Sequence, residues 1–400
     1  MSGPLNGIKV LDLTRVLAGP HATQILADLG AEVIKVERPE TGDDTRGWGP
    51  PYVKDAQGND TAETTYFASC NRGKKSVVLD LSDVDAQKKV RELAGQCDVL
   101  VENYKVGDLA RYGLDYASLH KLYPELIYCS ITGFGQTGPY AERAGYDPIA
   151  QAMCGMMSVT GESEDKADTT PQRVGVAVVD LMSGQYCVIG ILAALLHRKE
   201  TGEGQHIDIG LLDVGVASMA NIGSAYLGAG VVSKRNGGVH PSVMPSQVFE
   251  CTDGYVIVAA ANDVQFRKLC EAAGRPEIAT DERFATNSAR VRNRAQVTPL
   301  LDAIFRDRPV ADWTEALAKA GVSCGPIYSM DQVFDDPQVI SRGMVVEVPY
   351  APAGTLKMTA SPIRMSATPV AHGVSPPLLG EHNREVLLPI PDGAATSERS

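Results

Sequence analysis

The chain has 400 residues, of which 44% are hydrophobic and 22% charged, and its formal net charge at pH 7 is −12. This length is sufficient for a large hydrophobic core in two domains or in one elaborated domain. The negative charge argues against general binding to nucleic acid or to acidic membranes, so an anionic ligand would need local basic groups and helix N-termini.

The first half of the sequence alternates strand and helix patterns. The segments 19–30 and 82–96 predict helices, with Pro20 in the first turn of one and Ser82 as the N-cap of the other. Strands separated by helices indicate right-handed βαβ units and a parallel, doubly wound α/β sheet. Short apolar runs predict its strands at 8–13, 31–37, 75–81, 97–103, 126–135 and 205–210.

The second half begins with a long predicted helix over 180–204 and a further helix over 211–228. A polar stretch with glycine and proline, 231–247, then indicates a domain boundary. A hairpin at 248–263, helices to about residue 320 and antiparallel strands within 343–365 follow. We expect a large domain with the parallel sheet at 1–210, a linker helix and boundary at 211–236, a small α/β domain at 237–330 and a C-terminal segment at 331–400 with a frayed end.

Targeting and metal-binding patterns are missing from the sequence. The first residues, MSGPLNGIKVLDL, have neither a basic nor a long apolar segment, and the longest apolar run, 187–196, is about half a membrane span. The eight cysteines form no CxxC pair, and the histidines form no HxxxH or HExxH pair. We therefore expect a cytoplasmic protein without signal peptide, membrane span, disulfide or metal site.

Basic and glycine-rich loops follow several predicted strands, at 71–76 (NRGKKS), 102–113 (ENYKVGDLARYG) and 132–140 (TGFGQTGPY). Each alone is also typical of a solvated loop. Because open α/β sheets bind ligands at the carboxyl ends of their strands, together they indicate one anion-binding crevice. An NAD site is disfavoured, since the loop after the first strand has a single glycine, Gly19, and no GxGxxG, although Glu37 stands where the ribose-binding acid would be.

The stretch GVAVVDLMSG (175–184) places Asp180 among apolar residues at the start of the long predicted helix. Residue preference favours an N-cap role for Asp180. The helix N-terminus would then keep its carboxylate ionised. An ionised carboxylate in such a setting can also attack an activated carbonyl and form an anhydride. The cap and the nucleophile are compatible roles.

Nine ordered stretches give the chain a resemblance to a known family. They are 7–39, 42–51, 71–81, 98–116, 131–152, 175–184, 201–213, 335–345 and 376–382. On these stretches the chain resembles the class III CoA-transferases, the family of formyl-CoA transferase and carnitine CoA-transferase, over nearly its whole length. Among its branches it looks most like succinyl-CoA:glutarate CoA-transferase.

The resemblance implies a Rossmann-like large domain to which the C-terminus returns, and two chains interlocked as a homodimer. It implies transfer of CoA from an acyl-CoA, here succinyl-CoA, to a free acid such as glutarate, without metal or ATP. Asp180 would carry an aspartyl anhydride and then an aspartyl-CoA thioester. CoA contacts are implied for Leu17, Ala18, Arg38, Arg72, Gly73, Lys74, Lys75, Asn103, Tyr104, Lys105, Arg111, Ala144, Gly145, Tyr146 and Asp147.

The acid that accepts CoA stays open between several classes. A dicarboxylate needs a cation for its second carboxylate, and the candidates are Arg15, Arg46, or Lys234 and Arg235 together with His240. Oxalate, formate, itaconate, mesaconate and carnitine are alternative acceptors. The stretch 237–247 (GGVHPSVMPSQ) stands where formyl-CoA transferase has a glycine-rich lid, but its sequence departs from the pattern of that lid.

Two further functions remain as alternatives to CoA transfer. The α-methylacyl-CoA racemases of the same fold pair the aspartate with a histidine in a GHD segment, where this chain has Tyr146 in GYD. Because tyrosine titrates about three units above histidine, it is a poor second base near neutrality. A CoA-binding regulator without turnover is disfavoured because Asp180 is intact.

Overall fold

The structure, a computed structural model, describes residues 3–166 and 169–388, so the predicted frayed tail lies outside the described residues. The chain forms two compact units. Unit 1 contains the residues up to Gly155, Val174–Ser224 and the described residues from Gln338 onwards; unit 2 contains Met156–Arg173 and Ala225–Pro337. This division differs from the predicted segments. Residues 156–173, predicted to be part of the large domain, belong to unit 2, and unit 1 continues to residue 224 instead of 210.

Six parallel strands form the sheet of unit 1, in the spatial order β5-β2-β1-β6-β7-β8. The predicted α/β class and all six predicted strands are confirmed. Numbered along the chain, the order is 3-2-1-4-5-6, the order of dinucleotide-binding sheets, in which the strand order reverses between the first and fourth strands. The strands are β1 (Lys9–Asp12), β2 (Glu32–Glu37), β5 (Lys74–Val78), β6 (Val99–Glu102), β7 (Ile127–Thr132) and β8 (His206–Gly210).

Helices cover the sheet of unit 1. One core cluster packs Leu11, Ile34 and Leu100 of the strands against Val90 and Leu119 of the helices. The helices are α1 (Ala18–Asp28), α2 (Thr65–Cys70), α3 (Val84–Ala94), α4 (Tyr116–Leu122), α5 (Asp147–Met153), α7 (Val178–Thr201), α8 (Leu211–Ser218) and α17 (Asn383–Leu387), with 3-10 helices at Asp44–Gly47 and Ala110–Tyr112.

Two predicted helix details are wrong. Asp83, and not Ser82, is the N-cap of α3, because its carboxylate accepts the N–H of Asp85 while the Ser82 hydroxyl donates to Asp80. The single helix predicted over 211–228 is two helices, α8 and α9 (Ala220–Ala229). The break lies at Ala220, whose φ of 38° is incompatible with a continuous right-handed helix.

The long helix α7 packs against α1, β7 and β8 within unit 1. A Cβ atom at Gly184 would lie 2.7 Å from the carbonyl oxygen of Ala18, so the close approach of α7 and α1 requires glycine. By length and composition alone, α7 is also the one helix in the described residues that could cross a membrane.

Two hairpins and the C-terminal segment complete unit 1. The hairpin β3 (Tyr52–Lys54) and β4 (Asp60–Thr64) lies between the predicted strands at 31–37 and 75–81, where the sequence predicts no strand. The predicted antiparallel strands are confirmed as β12 (Val345–Tyr350) and β13 (Gly354–Thr359). The segment after β13 returns to the sheet, where His382 and Asn383 form hydrogen bonds with the edge strand β5.

Unit 2 contains a three-stranded antiparallel sheet in the order β11-β10-β9, and the predicted hairpin is confirmed as β9 and β10. Phe249, Phe305 and Trp313 stack in its core, with ring centroids 4.3 and 4.7 Å apart. Its elements are α6 (Met156–Val159), β9 (Ser246–Glu250), β10 (Tyr255–Ala259), α10 (Asp263–Ala272), α11 (Pro276–Thr280), α12 (Asn287–Arg292), α13 (Arg294–Phe305), α14 (Val310–Ala320), β11 (Ser323–Pro326) and α15 (Met330–Asp335), and α16 (Pro337–Ser341) begins at its last residue.

Candidate active site

A cavity of about 360 Å³ in unit 1, called the first cavity below, lies where the loops after β1, β6 and β7 meet. This is the carboxyl edge of the sheet, beside the point where the strand order reverses. Its lining includes the predicted residues Arg15, Leu17, Ala18, Asn103, Tyr104, Lys105, Ala144, Gly145, Tyr146 and Asp180.

The loop after β1 enters this cavity in a strained conformation. Val16 has φ of 74°, which is rare for a β-branched residue. The side chain of Asn103 binds both backbone groups of Arg15, the residue before Val16. Its oxygen accepts the N–H of Arg15 (3.0 Å), and its NH₂ group donates to the Arg15 carbonyl (2.7 Å). Asp43 accepts the N–H of Val16 (3.3 Å). These bonds fix the start of α1 at the cavity wall.

A buried ion network supports the same loop from below. Lys35 contacts Asp43 (2.9 Å) and donates to the carbonyl of Thr14 (2.8 Å). Lys74 contacts Asp12 (3.0 Å). All four charged side chains are fully buried. Burial alone would raise the pKa values of the two carboxyls, but the lysines beside them lower both below the usual range.

Asp180 is the third residue of α7 and lies half-buried in the wall of the first cavity. The expected N-cap role is wrong, because the N-cap is Ala177, which has no side-chain acceptor. Asp147, 33 residues earlier, supplies the cap. Its Oδ1 accepts the N–H groups of Val179 (2.8 Å) and Asp180 (3.3 Å).

The pKa of Asp180 also differs from the expectation. We expected the helix N-terminus to keep its carboxylate ionised, yet the pKa of Asp180 is raised to about 7. Burial is the larger cause, and the negative charge of Asp147 is the second. The N–H groups that would favour the ionised form are bonded to Asp147 instead.

A second cavity of about 290 Å³ adjoins the first and shares Arg15, Tyr104 and Asp108 with it. The predicted residues Arg38 and Arg111 line this second cavity. Arg38 also contacts Asp44 (2.7 Å). Two arginines in an open cleft form a suitable site for phosphate groups.

The segment NRGKKS was expected to contact CoA, but its residues line neither cavity. Arg72 is buried against Asp28, Lys74 belongs to the ion network, and Lys75 binds Glu32 and Glu385. Gly73 has a positive φ of 76° in the turn between them. The basic groups of this segment are therefore occupied by carboxylates of unit 1.

Two candidates for binding the second carboxylate of the substrate are placed elsewhere. Arg46 is buried in a two-contact ion pair with Glu37 (2.8 and 2.9 Å) and stacks on Phe67, so its donors are already used. His240 lies in unit 2, where its Nδ1 accepts the N–H of Ser242 (3.1 Å). Lys234 and Arg235 are also in unit 2 and both contact Glu164.

Sequence reasoning missed several residues that line the first cavity, and three of them have side chains of interest, Trp48, Thr132 and Arg143. Trp48 stacks edge-on against Tyr66 at 5.2 Å between ring centroids. Thr132 has a buried hydroxyl without a hydrogen-bond partner in the described residues. Arg143 stacks on Tyr140 at 3.9 Å, and no described carboxylate pairs with it. All three lie in stretches that carry the family resemblance, 42–51 and 131–152, and that resemblance is the signal that could have identified them.

A further buried acid, Glu102, ends β6 beneath a third cavity of about 240 Å³. It accepts the N–H of Tyr104 (2.8 Å) and a hydrogen bond from Ser130, which in turn contacts Nε2 of His206 (2.9 Å). Burial raises the pKa of Glu102 to about 7. Lys105 borders both this cavity and the first one.

Comparison with known proteins gives matches over nearly the whole chain. The model of "CoA-transferase family III" matches residues 5–383. The succinate–glutarate CoA-transferase of Agrobacterium fabrum is 48% identical over 384 residues, 96% of this chain and 95% of that protein. Human succinyl-CoA:glutarate CoA-transferase is 43% identical and covers 96% of this chain, with 85% of its own length matched.

A solved structure of similar sequence has the same fold. The crystal structure of a CAIB/BAIF family protein from Brucella suis superposes with a TM-score of 0.86 at 47% sequence identity. The match covers 96% of this chain and 99% of that one.

Proposed function

The chain belongs to CoA-transferase family III and is an enzyme of that class, and on this basis we propose that it moves CoA from succinyl-CoA to a dicarboxylic acid such as glutarate. The names of its two similar relatives support this pair of substrates. The residues of unit 1 support the same reaction independently, as follows.

The observation that carries the proposal is the environment of Asp180. Three carboxylates line the first cavity, Asp44, Asp108 and Asp180. Asp44 is paired with Arg15 and Arg38, and Asp108 with Arg111. Asp180 has no cation partner in the described residues, and burial together with the charge of Asp147 raises its pKa to about 7. A basic, unpaired carboxylate facing a cleft is suited to act as a nucleophile.

The proposed reaction begins with attack on the donor. An oxygen of Asp180 attacks the thioester carbon of succinyl-CoA, the C–S bond breaks, and an aspartyl–succinyl anhydride and CoA thiolate form. The thiolate attacks the aspartyl carbonyl carbon, which releases succinate and leaves an aspartyl-CoA thioester. No proton has to be transferred in either step.

The second half of the reaction repeats these steps with the acceptor. The glutarate carboxylate attacks the aspartyl-CoA thioester, which frees the thiolate and forms an aspartyl–glutaryl anhydride. The thiolate then attacks the glutaryl carbonyl carbon, giving glutaryl-CoA and regenerating Asp180. One thioester replaces another, so the reaction requires neither ATP nor a metal. Backbone N–H groups of the turn at 133–138 are candidates to stabilise the oxyanions.

Coenzyme A has room in the two adjoining cavities. We place its phosphates in the second cavity with Arg38 and Arg111 and its thioester in the first cavity beside Asp180. Tyr104 and Asn103 would lie between them. In this proposal Arg72 and Lys74 stabilise the fold and do not contact CoA, because each is already paired with a buried carboxylate.

The second carboxylate of a dicarboxylate would bind Arg143. Arg143 lines the first cavity, is exposed, and has no carboxylate partner among the described residues. Arg15 lines the same cavity but is held by Asp44 at 3.1 Å and stacks over Tyr104. A free guanidinium is the better partner for an incoming carboxylate.

A residue of the first cavity also argues against the racemase alternative. The position of the second base is Tyr146, which is exposed at the first cavity. A neutral phenol does not abstract the proton next to a thioester near pH 7. Exchange of that proton with heavy water, without CoA transfer, would favour the racemase.

We also propose a cytoplasmic homodimer. Tyr186, Ile189 and Leu196 form an apolar stripe along α7 and are 44%, 60% and 68% exposed in the single chain. Exposed apolar surface of this kind is typical of a subunit interface. A second copy of the chain would cover it, and the negative net charge of −12 disfavours an acidic membrane as the alternative.

A panel of acids tests the proposed substrates. Succinyl-CoA is incubated with glutarate, oxalate, itaconate, mesaconate or carnitine, and the CoA products are identified by mass spectrometry, with Asp180→Ala as the blank. We expect glutaryl-CoA and succinate in equal amounts. A panel in which only monocarboxylates or no acids receive CoA would overturn the dicarboxylate proposal.

A further inference from the structure

We propose that Asp147 is a positioning residue that keeps the Asp180 carboxylate basic, because it occupies the N–H groups at the start of α7 and places a second negative charge beside the nucleophile. The sequence had suggested a CoA contact for Asp147. This inference rests on the proposed role of Asp180.

The first step is the position of the Asp147 side chain. It is 2% exposed and does not line the first cavity, whereas the neighbouring Gly145 and Tyr146 do. Its Oδ1 accepts the N–H groups of Val179 and Asp180. The N-cap residue of α7, Ala177, makes no side-chain bond, so Asp147 acts as the missing cap from a different element.

The second step is the rigidity of this arrangement. The fully buried side chain of Gln151 donates to the other carboxylate oxygen of Asp147 at 2.6 Å. The Gln151 oxygen accepts the N–H of Val174 at 2.9 Å, just before α7. Asp147 is thus held by N–H donors on both oxygens, and its contacts include no cation in the described residues.

The third step is the effect on Asp180. A carboxylate in the first turn of a helix is normally stabilised by the free N–H groups there. Here Asp147 takes two of these groups, and its charge repels a second negative charge nearby. The pKa of Asp180 is correspondingly raised, and burial and Asp147 are the two causes.

Other ionisable groups surround Asp180, and the test has to separate them from Asp147. Burial lowers the pKa of His21 and of His206, which favours their neutral forms, and the pKa of Tyr66 is raised to about 12. The remaining groups on the cavity wall or on elements packed against α7 are Arg15, Asp28, Asp44, Lys105, Asp108, Tyr128, Cys129, Arg143, Tyr146, Cys154, Asp208 and Asp213.

This arrangement has a chemical advantage for the proposed reaction. The reactivity of an oxygen nucleophile rises with its basicity, and a carboxylate of ordinary pKa is a weak nucleophile. A raised pKa costs part of the ionised population near pH 7 but makes the ionised fraction more reactive. In this proposal Asp147, together with burial, therefore influences both the reactivity of Asp180 and the pH range in which it works.

The variants Asp147→Asn and Asp147→Ser test the proposal, because both keep a capping oxygen and remove the charge. We measure kcat/KM for CoA transfer from pH 5 to 9. The acidic limb should move to lower pH by about one unit or more. The plateau at high pH should fall by about threefold for a Brønsted slope of about 0.5. A purely structural role would change stability or the plateau without moving the limb.

Two controls accompany these variants. Asp147→Glu keeps the charge and should retain an acidic limb close to the wild-type position. Asp85→Asn removes an exposed carboxylate from the first turn of another helix, α3, and should leave the pH profile unchanged.

A direct titration decides the outcome even if the neutral variants are inactive. Asp carboxyl groups labelled with ¹³C are titrated by NMR, and Asp180→Asn identifies the signal of Asp180. The proposal expects a lower midpoint for Asp180 in both neutral variants. An unchanged midpoint, or an unchanged acidic limb in an active variant, would overturn it. Normal activity of Asp180→Ala would instead overturn the proposed function and leave the titration result standing.

Discussion

Two groups of buried carboxylates in unit 1 have opposite environments. Asp12, Glu37 and Asp43 lie beneath the loop after β1 and each contacts a lysine or arginine, so their pKa values lie below the usual range. Asp180 and Glu102 lie at the carboxyl edge of the sheet without a cation partner in the described residues, and their pKa values are raised to about 7. The comparison teaches that a cation partner separates the carboxyls with lowered pKa values from those with raised ones, which include Asp180, the carboxylate that we propose to be reactive.

Removing the reactive carboxylate should have the largest effect on function. Asp180→Ala is expected to reduce kcat for CoA transfer by at least about 10³-fold, because the covalent route is lost. The fold should be retained, since Asp180 makes no side-chain ion pair in the described residues. Steady-state assays and circular dichroism check both points. Transfer near the wild-type rate would contradict the nucleophile assignment.

Removing a cation from the paired group should have the largest effect on stability. Lys74→Met leaves Asp12 buried with its direct partner lost, and we expect the free energy of unfolding to fall by about 3–5 kcal/mol. Urea denaturation measures this change. The double variant with Asp12→Asn should recover part of the loss. An unchanged stability with a raised KM for the acyl-CoA would instead support the CoA contact first expected for Lys74.

The pH dependence should separate the two groups. Asp180 must be ionised to attack, so kcat/KM should fall about tenfold per unit below its pKa and reach about 1% of its plateau at pH 5. The paired carboxyls have lowered pKa values, so their stabilisation is present above about pH 4 and is lost only in stronger acid. Activity and the thermal midpoint are measured across pH 4.5–8. Parallel loss of both at pH 5 would contradict the distinction.

Neutralising the reactive carboxylate should give the smallest effect, an increase in stability. The folded-state pKa of Asp180 is raised, so its ionisation destabilises the fold increasingly as the pH rises from about 4 to 7. Asp180→Asn resembles the protonated acid and should increase the free energy of unfolding at pH 8 by about 1–3 kcal/mol. The increase should vanish near pH 4. Urea denaturation at the two pH values checks the sign.

Strand positions could be predicted from the sequence because each strand of the sheet is a short apolar run followed by a loop. The loops after the predicted strands indicated a crevice at the carboxyl edge of the sheet, and the first cavity lies at this edge, lined by the loops after β1, β6 and β7. The hairpin of β3 and β4 was missed, because its strands have only 3 and 5 residues and β4 is largely polar. Such strands carry too little periodicity to be distinguished from a loop.

The partners of the charged residues could not be predicted, because they come from distant parts of the chain. Lys74 meets Asp12 across 62 residues and Arg72 meets Asp28 across 44. A basic cluster bound to acids within the fold has the same local sequence as one that binds phosphate. The position of Asp180 near the start of a long helix could be predicted, but the cap of that helix comes from Asp147, 33 residues away, and the raised pKa of Asp180 comes from burial and from Asp147.

The path of the chain has a consequence for its synthesis. The edge strand β5 is covered by the C-terminal segment, where His382 and Asn383 accept the N–H groups of Ser76 and Val78, and the residues so joined lie 306 and 305 positions apart. At about 5–20 residues per second, a ribosome needs roughly 15–60 s to make the intervening chain. Throughout that time the nascent sheet has an uncovered edge on which another strand can pair. The two residues that cover this edge are therefore among the last of the described residues to be made.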